Sequence, residues 1–289
     1  MMQRMLRDDA PILITGATGN MGRATLRALK ARGVAVRAGV RDPAVVHGLD
    51  APAVALDFAR PETFAGAVAG AGGLLLVRPP AISDVGPTLC ALVDAALQAG
   101  VPHVVFLSVM GAERHAYIPH AKVERHLQAS GASWTFLRAG FFAQNLGDAY
   151  REDIRRRDEL FVPAGDGVAA FVDVRDLGDV AARAFVEDGH AEQAYPLTGP
   201  EALSFAAVAA LLTDELGRTI RYGRPGVLAY LRRQRRDGNP WAQAVIHTLL
   251  HVGLRFGQAA AVDPTLARLL GRPPRTLAQY IADHRDLWR

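Results

Sequence analysis

The chain has 289 residues, half of them hydrophobic and 21% charged, a composition that excludes disordered, collagen-like and low-complexity proteins. Its 33 basic and 29 acidic residues leave a net charge of +4, too small a surplus to point to nucleic acid. The single cysteine, Cys90, excludes an intramolecular disulfide framework and a thiolate metal cluster and reads as a buried helical residue.

Residues Met1–Asp9 lack the apolar core of a signal peptide, and no apolar run approaches the roughly 20 residues that span a bilayer. A cytoplasmic protein without a membrane partner is expected. Ile12–Thr15 reads as the first strand. Met21–Arg32 has helical spacing, and Gly33 ends it. Further strands are predicted over 34–40, 53–56, 73–77, 104–107 and 134–137, with helical patterns at 61–68, 85–99 and 122–129. Continuous apolar strands alternating with helices predict an α/β fold, a doubly wound, mainly parallel Rossmann sheet. Beyond Leu146 the rhythm is irregular. Short strands are predicted at 161–163, 168–172 and 218–222, with an extended piece at 195–197. Helices are predicted at 174–186 and 205–216, the second capped by Ser204. Residues 225–289 read as a mainly helical C-terminal cap.

Gly16-Ala17-Thr18-Gly19-Asn20-Met21-Gly22 joins the first strand to the first helix. Glycines at this spacing permit a tight turn, close approach of backbone to a pyrophosphate, and close helix–strand packing. Backbone N–H groups at the helix start then hold the phosphates. At the end of the second strand, Arg41 replaces the acidic residue of an NAD site and offers a fork for a 2′-phosphate, which favours NADP(H). Arg37 either assists or lines the strand edge. The neighbouring Asp42 either opposes this reading or caps the turn at Pro43. Asp57 and Phe58 either meet adenine or, for Asp57, cap a turn. The expected division is a dinucleotide-binding domain over 10–155, completed by the 173–188 helix, and a smaller substrate-side domain over 156–172 and 189–289.

The chain resembles the NmrA-like branch of atypical short-chain dehydrogenases/reductases. The resemblance rests on Thr15–Gly22, Val36–Pro43, Val105–Ala112, His120–Leu127, Ser130–Asn145 and Asp173–Ala181. It covers about residues 10–222, with a weaker echo at 275–284. It implies that Gly16, Thr18, Gly19, Asn20, Met21 and Gly22 bind the pyrophosphate and Arg41 the adenosine phosphate. Val77 and Arg78 would border the cofactor, Ser108 would lie near the nicotinamide, and Phe141–Asn145 would line the active-site mouth.

Ordinary short-chain dehydrogenases pair tyrosine and lysine as Tyr-x-x-x-Lys. Here Ile118 stands four residues before Lys122. Tyr117 is five residues back, off the shared helical face but able to swing in from a loop. Lys122 fits the family lysine and is one of only two in the chain, with Lys30. Its expected work is to hold cofactor ribose or assist proton transfer. His120 is a candidate general acid. Ser108 is a candidate carbonyl ligand or a strand-end turn residue, and Glu124 and Asp148 read as isolated carboxylates. The histidines form no recognised metal motif, so no metal is expected.

Arg155–Arg157 and Arg232–Arg236 read as solvated basic faces, and nucleic acid is not an expected partner. The apolar stretch 241–256 reads as packed core or, if exposed, as a pocket lid or dimer surface. Monomer and homodimer both remain open. Two functions follow: an NADPH-dependent reductase of a small carbonyl, quinone, imine or activated alkene, or a non-enzymatic NADP(H)-sensing regulatory protein.

Overall fold

Seven mutually parallel strands form the central sheet of the computed structural model, which describes residues 10–289. The N-terminal stretch Met1–Asp9, read above as lacking a signal-peptide core, lies outside the described residues. The strands are β1 (Ile12–Ile14), β2 (Val36–Val40), β3 (Ala53–Ala55), β4 (Gly73–Val77), β5 (Val104–Val109), β6 (Trp134–Ala139) and β10 (Gln193–Leu197). Their order across the sheet is β10-β6-β5-β4-β1-β2-β3. The order reverses beside β1, so the crevice beyond β1 and β4 is the switch point at which such sheets bind ligands.

The helices between these strands are α1 (Asn20–Lys30), α2 (Phe64–Val68), α3 (Ala91–Gln98), α4 (Pro119–Ala129) and α6 (Val174–Val186). Ile12, Leu13, Ile14, Leu74, Leu75, Leu76, Val104, Val105 and Phe106 are all fully buried. That is why these strands are continuous apolar runs: helices cover both faces. Each such aliphatic side chain contributes about 2 kcal/mol on leaving water. Helix α6 lies against α1 so closely that a Cβ on Gly178 would meet Ala24 at 2.6 Å.

The chain divides into two compact units. The first runs through Ala139 and includes Val174–Leu197; the second is Gly140–Asp173 with Thr198–Arg289. The sequence reading drew the boundaries elsewhere, with 140–155 in the first domain and 189–197 in the second. Parallel pairing of β10 with β6, from Gln193 opposite Thr135 to Leu197 opposite Ala139, carries the 193–197 segment into the main sheet. Pro196 lacks an amide donor, and an edge strand tolerates it.

The second unit holds two small sheets: β7 (Phe141–Phe142), β9 (Val168–Val172) and β11 (Ala202–Ser204), and separately β8 (Glu159–Leu160) with β12 (Arg221–Tyr222). Its helices are α5 (Arg151–Arg157), α7 (Phe205–Leu216), α8 (Val227–Arg236), α9 (Trp241–Leu254), α10 (Thr265–Leu270) and α11 (Leu277–Asp283). Ser204 caps α7 by accepting from the Ala207 amide at 3.2 Å. Aromatic side chains fill the core, with Phe171, Phe205, Tyr280 and Trp288 all buried and Phe141 packed edge-on against Phe171. Residues 161–163 are not a strand; the pairing segment is 159–160. No described helix is long and apolar enough to cross a membrane.

Candidate active site at the carboxyl edge of the sheet

Strand β1 ends in Thr15, whose buried hydroxyl donates to the Leu75 carbonyl at 3.0 Å and accepts from the Val77 amide at 2.8 Å. This pins the glycine turn to β4. Gly16 has φ +61°, a conformation that favours glycine. A Cβ on Gly22 would lie 2.3 Å from the Gly16 carbonyl oxygen, so that position admits only glycine without movement. The Arg23 Nε donates to the Thr18 carbonyl at 2.9 Å and braces the turn from outside.

Helix α1 starts behind this turn with no side-chain cap at Gly19 and no acidic residue in its first turn. The positive end of the helix dipole therefore meets no side-chain anion of its own. Thr18, Gly19 and Asn20 are exposed, and the Met21 side chain is buried in the core, so its contribution to a ligand is backbone. These residues fit a pyrophosphate by their backbone shape.

Arg41 follows β2. It is exposed and makes no hydrogen bond or ion pair with the described residues. Asp42 does not compete with it: the Asp42 carboxylate accepts from the Ala44 amide at 2.9 Å and closes the turn at Pro43. Arg37 donates to the Ala67 and Ala69 carbonyls at 3.2 and 2.7 Å, so it satisfies the end of α2. Asp57 accepts from the Ala59 amide at 3.0 Å, which makes it a turn cap. Phe58 is half-buried, edge-on to Phe64.

Arg78, at the end of β4, is engaged on all sides. It donates to the carbonyls of Pro79, Pro80 and Ile82, and its Nε donates to His120 Nε2 at 3.3 Å. A guanidinium cannot accept, so Nε2 of His120 carries the lone pair and Nδ1 the proton. Burial, then the Arg78 charge, push the His120 pKa down to about 3. At neutral pH His120 is therefore an uncharged imidazole.

Ser108 is 1% exposed, and its hydroxyl donates to Glu124 Oε1 at 2.6 Å. Glu124 is itself buried and takes a two-pronged contact from Arg138, at 3.1 and 2.7 Å. Arg138 also pairs with Glu113 at 3.2 Å. The bond to Glu124 holds the Arg138 pKa above its ordinary value. The register sets this group: Ser108 on β5 lies opposite Arg138 on β6, and α4 lowers Glu124 between them. Ser108 has no free donor for a substrate carbonyl, and Glu124 is not the isolated carboxylate expected from sequence.

Lys122 points the other way from Glu124. It is exposed on α4, and its side chain makes no hydrogen bond or ion pair with the described residues. Helix α4 starts at Pro119, with Ile118 as its cap, so Tyr117 stays on the preceding loop. Tyr117 is 76% exposed, against His115. Phe141 packs within the second unit's core, and Gln144 donates to Asp173 at 3.0 Å. Among the described residues no cluster of three His, Cys, Asp or Glu side chains is arranged to hold a metal.

Residues 8–247 match the model of the NmrA-like family. The chain belongs to the NmrA-like family. An NAD(P)H azoreductase of Xenophilus azovorans is 34% identical over 280 residues, 94% of this chain and 97% of that protein. An NADPH-dependent quinone oxidoreductase of Escherichia coli, solved with NADPH, is 27% identical with a TM-score of 0.83, covering 94% of this chain and 99% of that one. NmrA itself, a negative transcriptional regulator solved with NAD, shares this NmrA-like fold at 17% identity and a TM-score of 0.72, covering 96% of each chain.

Proposed function

We propose that this NmrA-like protein is an NAD(P)H-dependent reductase that uses NADPH to reduce a small carbonyl, quinone, imine or activated alkene. The observation that carries the reading is the glycine turn set against an uncapped helix start, where a Cβ at Gly22 would strike the backbone of the turn at Gly16 and Ala17. The Xenophilus relative, named for azo reduction, and the Escherichia coli relative, named for quinone reduction, support the same class.

Gly16, Thr18, Gly19, Asn20, Met21 and Gly22 hold the pyrophosphate, and Arg41 takes the 2′-phosphate as an unpaired, exposed guanidinium. A nicotinamide dinucleotide bound there supplies the hydride. Val77 and Arg78 wall the crevice, Arg78 by fixing the 78–82 loop. Neutral His120 keeps its lone pair on Arg78 and serves as a wall. Lys122, whose ammonium has no partner among the described residues, is assigned the ribose contact or the proton. Ser108, Glu124 and Arg138 form the rigid frame of the β5–β6 end.

The test is consumption of NADPH with a panel of quinones, azo dyes, imines, enones and aldehydes. The reading expects turnover with at least one class and slower turnover with NADH. Tight NADPH binding with no oxidation by any member would overturn it.

A further inference from the structure

Helix α9 carries no Asp, Glu, Lys or Arg over its 14 residues. Its inner face is anchored, with Ala244, Thr248, His251 and Leu254 buried and His251 Nε2 accepting from the Tyr150 hydroxyl at 2.5 Å. Its outer face is apolar as well. Trp241, Val245, Ile246, Leu249 and Leu250 are all exposed, Leu249 by 65%, and Phe256 just beyond is 84% exposed. Six side chains of this size expose on the order of 700 Å² of surface, above the usual largest patch of a monomer and close to the roughly 800 Å² per partner of a stable dimer.

We infer that this face binds a second copy of the chain, α9 against α9 in antiparallel two-fold packing. The order of residues is self-complementary. Ala242, Ile246, Leu249 and Gly253 form a central seam at 4-3-4 spacing, the spacing of helix–helix seams. A two-fold axis between His247 and Thr248 sets each Ile246 opposite the other copy's Leu249, and each Val245 opposite Leu250. Ala242 falls opposite Gly253 at the ends, where the chain's own Gln258 covers Gly253 and begins the polar rim.

Arg235 stacks over Trp241 at 5.0 Å, beside the first turn of α9. A two-fold contact of this kind buries Val245, Ile246, Leu249 and Leu250 of both copies with one symmetric operation.

Sedimentation equilibrium of the full chain tests it, with Ile246→Lys, Leu249→Glu and the double variant. The expected parent is a dimer. Each single variant dissociates at least tenfold more readily, and the double variant regains the dimer because Lys and Glu face each other across the axis. Retained NADPH binding shows that the variants fold. A monomeric parent, a dimer indifferent to both substitutions, or a monomer that co-sediments with phosphatidylserine vesicles through this face would overturn the proposal.

Discussion

The two ends of the sheet's carboxyl edge are finished in opposite ways. Beyond β1 and β2 the backbone is bare: glycines, a helix without a side-chain cap, and Arg41 with no partner among the described residues. Beyond β5 and β6 the edge is closed by its own side chains: buried Ser108 and Glu124 are joined to half-buried Arg138, which reaches Glu113 at the surface. An unpaired exposed cation costs little to leave in water, whereas a buried carboxylate must be paired. The first end is therefore shaped for an anionic ligand, and the second for rigidity. A residue type alone does not separate the two roles; Arg41 and Arg138 differ only in what surrounds them.

Substituting Gly22→Ala should have the largest effect. Its Cβ would sit 2.3 Å from backbone oxygen, so about 3 kcal/mol of stability should be lost and NADPH binding should weaken about 100-fold. Thermal melting and fluorescence titration read both quantities, and an unaltered affinity would contradict the cradle. At the closed end, Glu124→Gln should cost about 3 kcal/mol in urea unfolding by leaving Arg138 short of its partner, with NADPH affinity unchanged. Ser108→Ala should cost about 1 kcal/mol and leave kcat near the parent value. A large fall in kcat without loss of stability would move Ser108 from frame to catalysis.

Arg41→Ala should weaken NADPH binding by about tenfold, equivalent to about 1.4 kcal/mol, with NADH affinity and melting temperature unaffected. Equal parent affinities for the two cofactors would break the phosphate assignment. A separate effect is that of pH. Burial lowers the pKa of His103 to about 4, of His120 to about 3 and of His251 to about 4, while the unfolded value is about 6.5. The folded protein binds fewer protons between these values, so their contribution is full above pH 6.5 and is lost as pH falls towards 4. Urea midpoints at pH 7 and pH 5 should differ in that direction, and kcat should show no His120 titration between pH 6 and 8.

Much of the open end was legible in the sequence, because glycine spacing and continuous apolar strands are local signals. Arg41 stood out for the same reason. Asp42 and Asp57 resolve as turn caps only when their amide partners are seen. The closed end was not legible, since Ser108, Glu124 and Arg138 come from three elements brought together by register. One signal was present: Glu124 lies three residues from both Ala121 and Leu127, on the inward stripe of α4. Lys122 lies off that stripe, which explains its exposure. The extended piece at 195–197 is legible, but its pairing with the main sheet is not, because Pro196 interrupts an already short run; the exposed face of α9 reads as core by composition alone.

A structure of the protein with NADPH bound tests the contrast most directly. The account predicts the pyrophosphate at the start of α1, the 2′-phosphate beside Arg41, and the Ser108–Glu124–Arg138 bonds unbroken. A pyrophosphate bound away from the glycine turn, or Ser108 turned from Glu124 towards the nicotinamide, would contradict it.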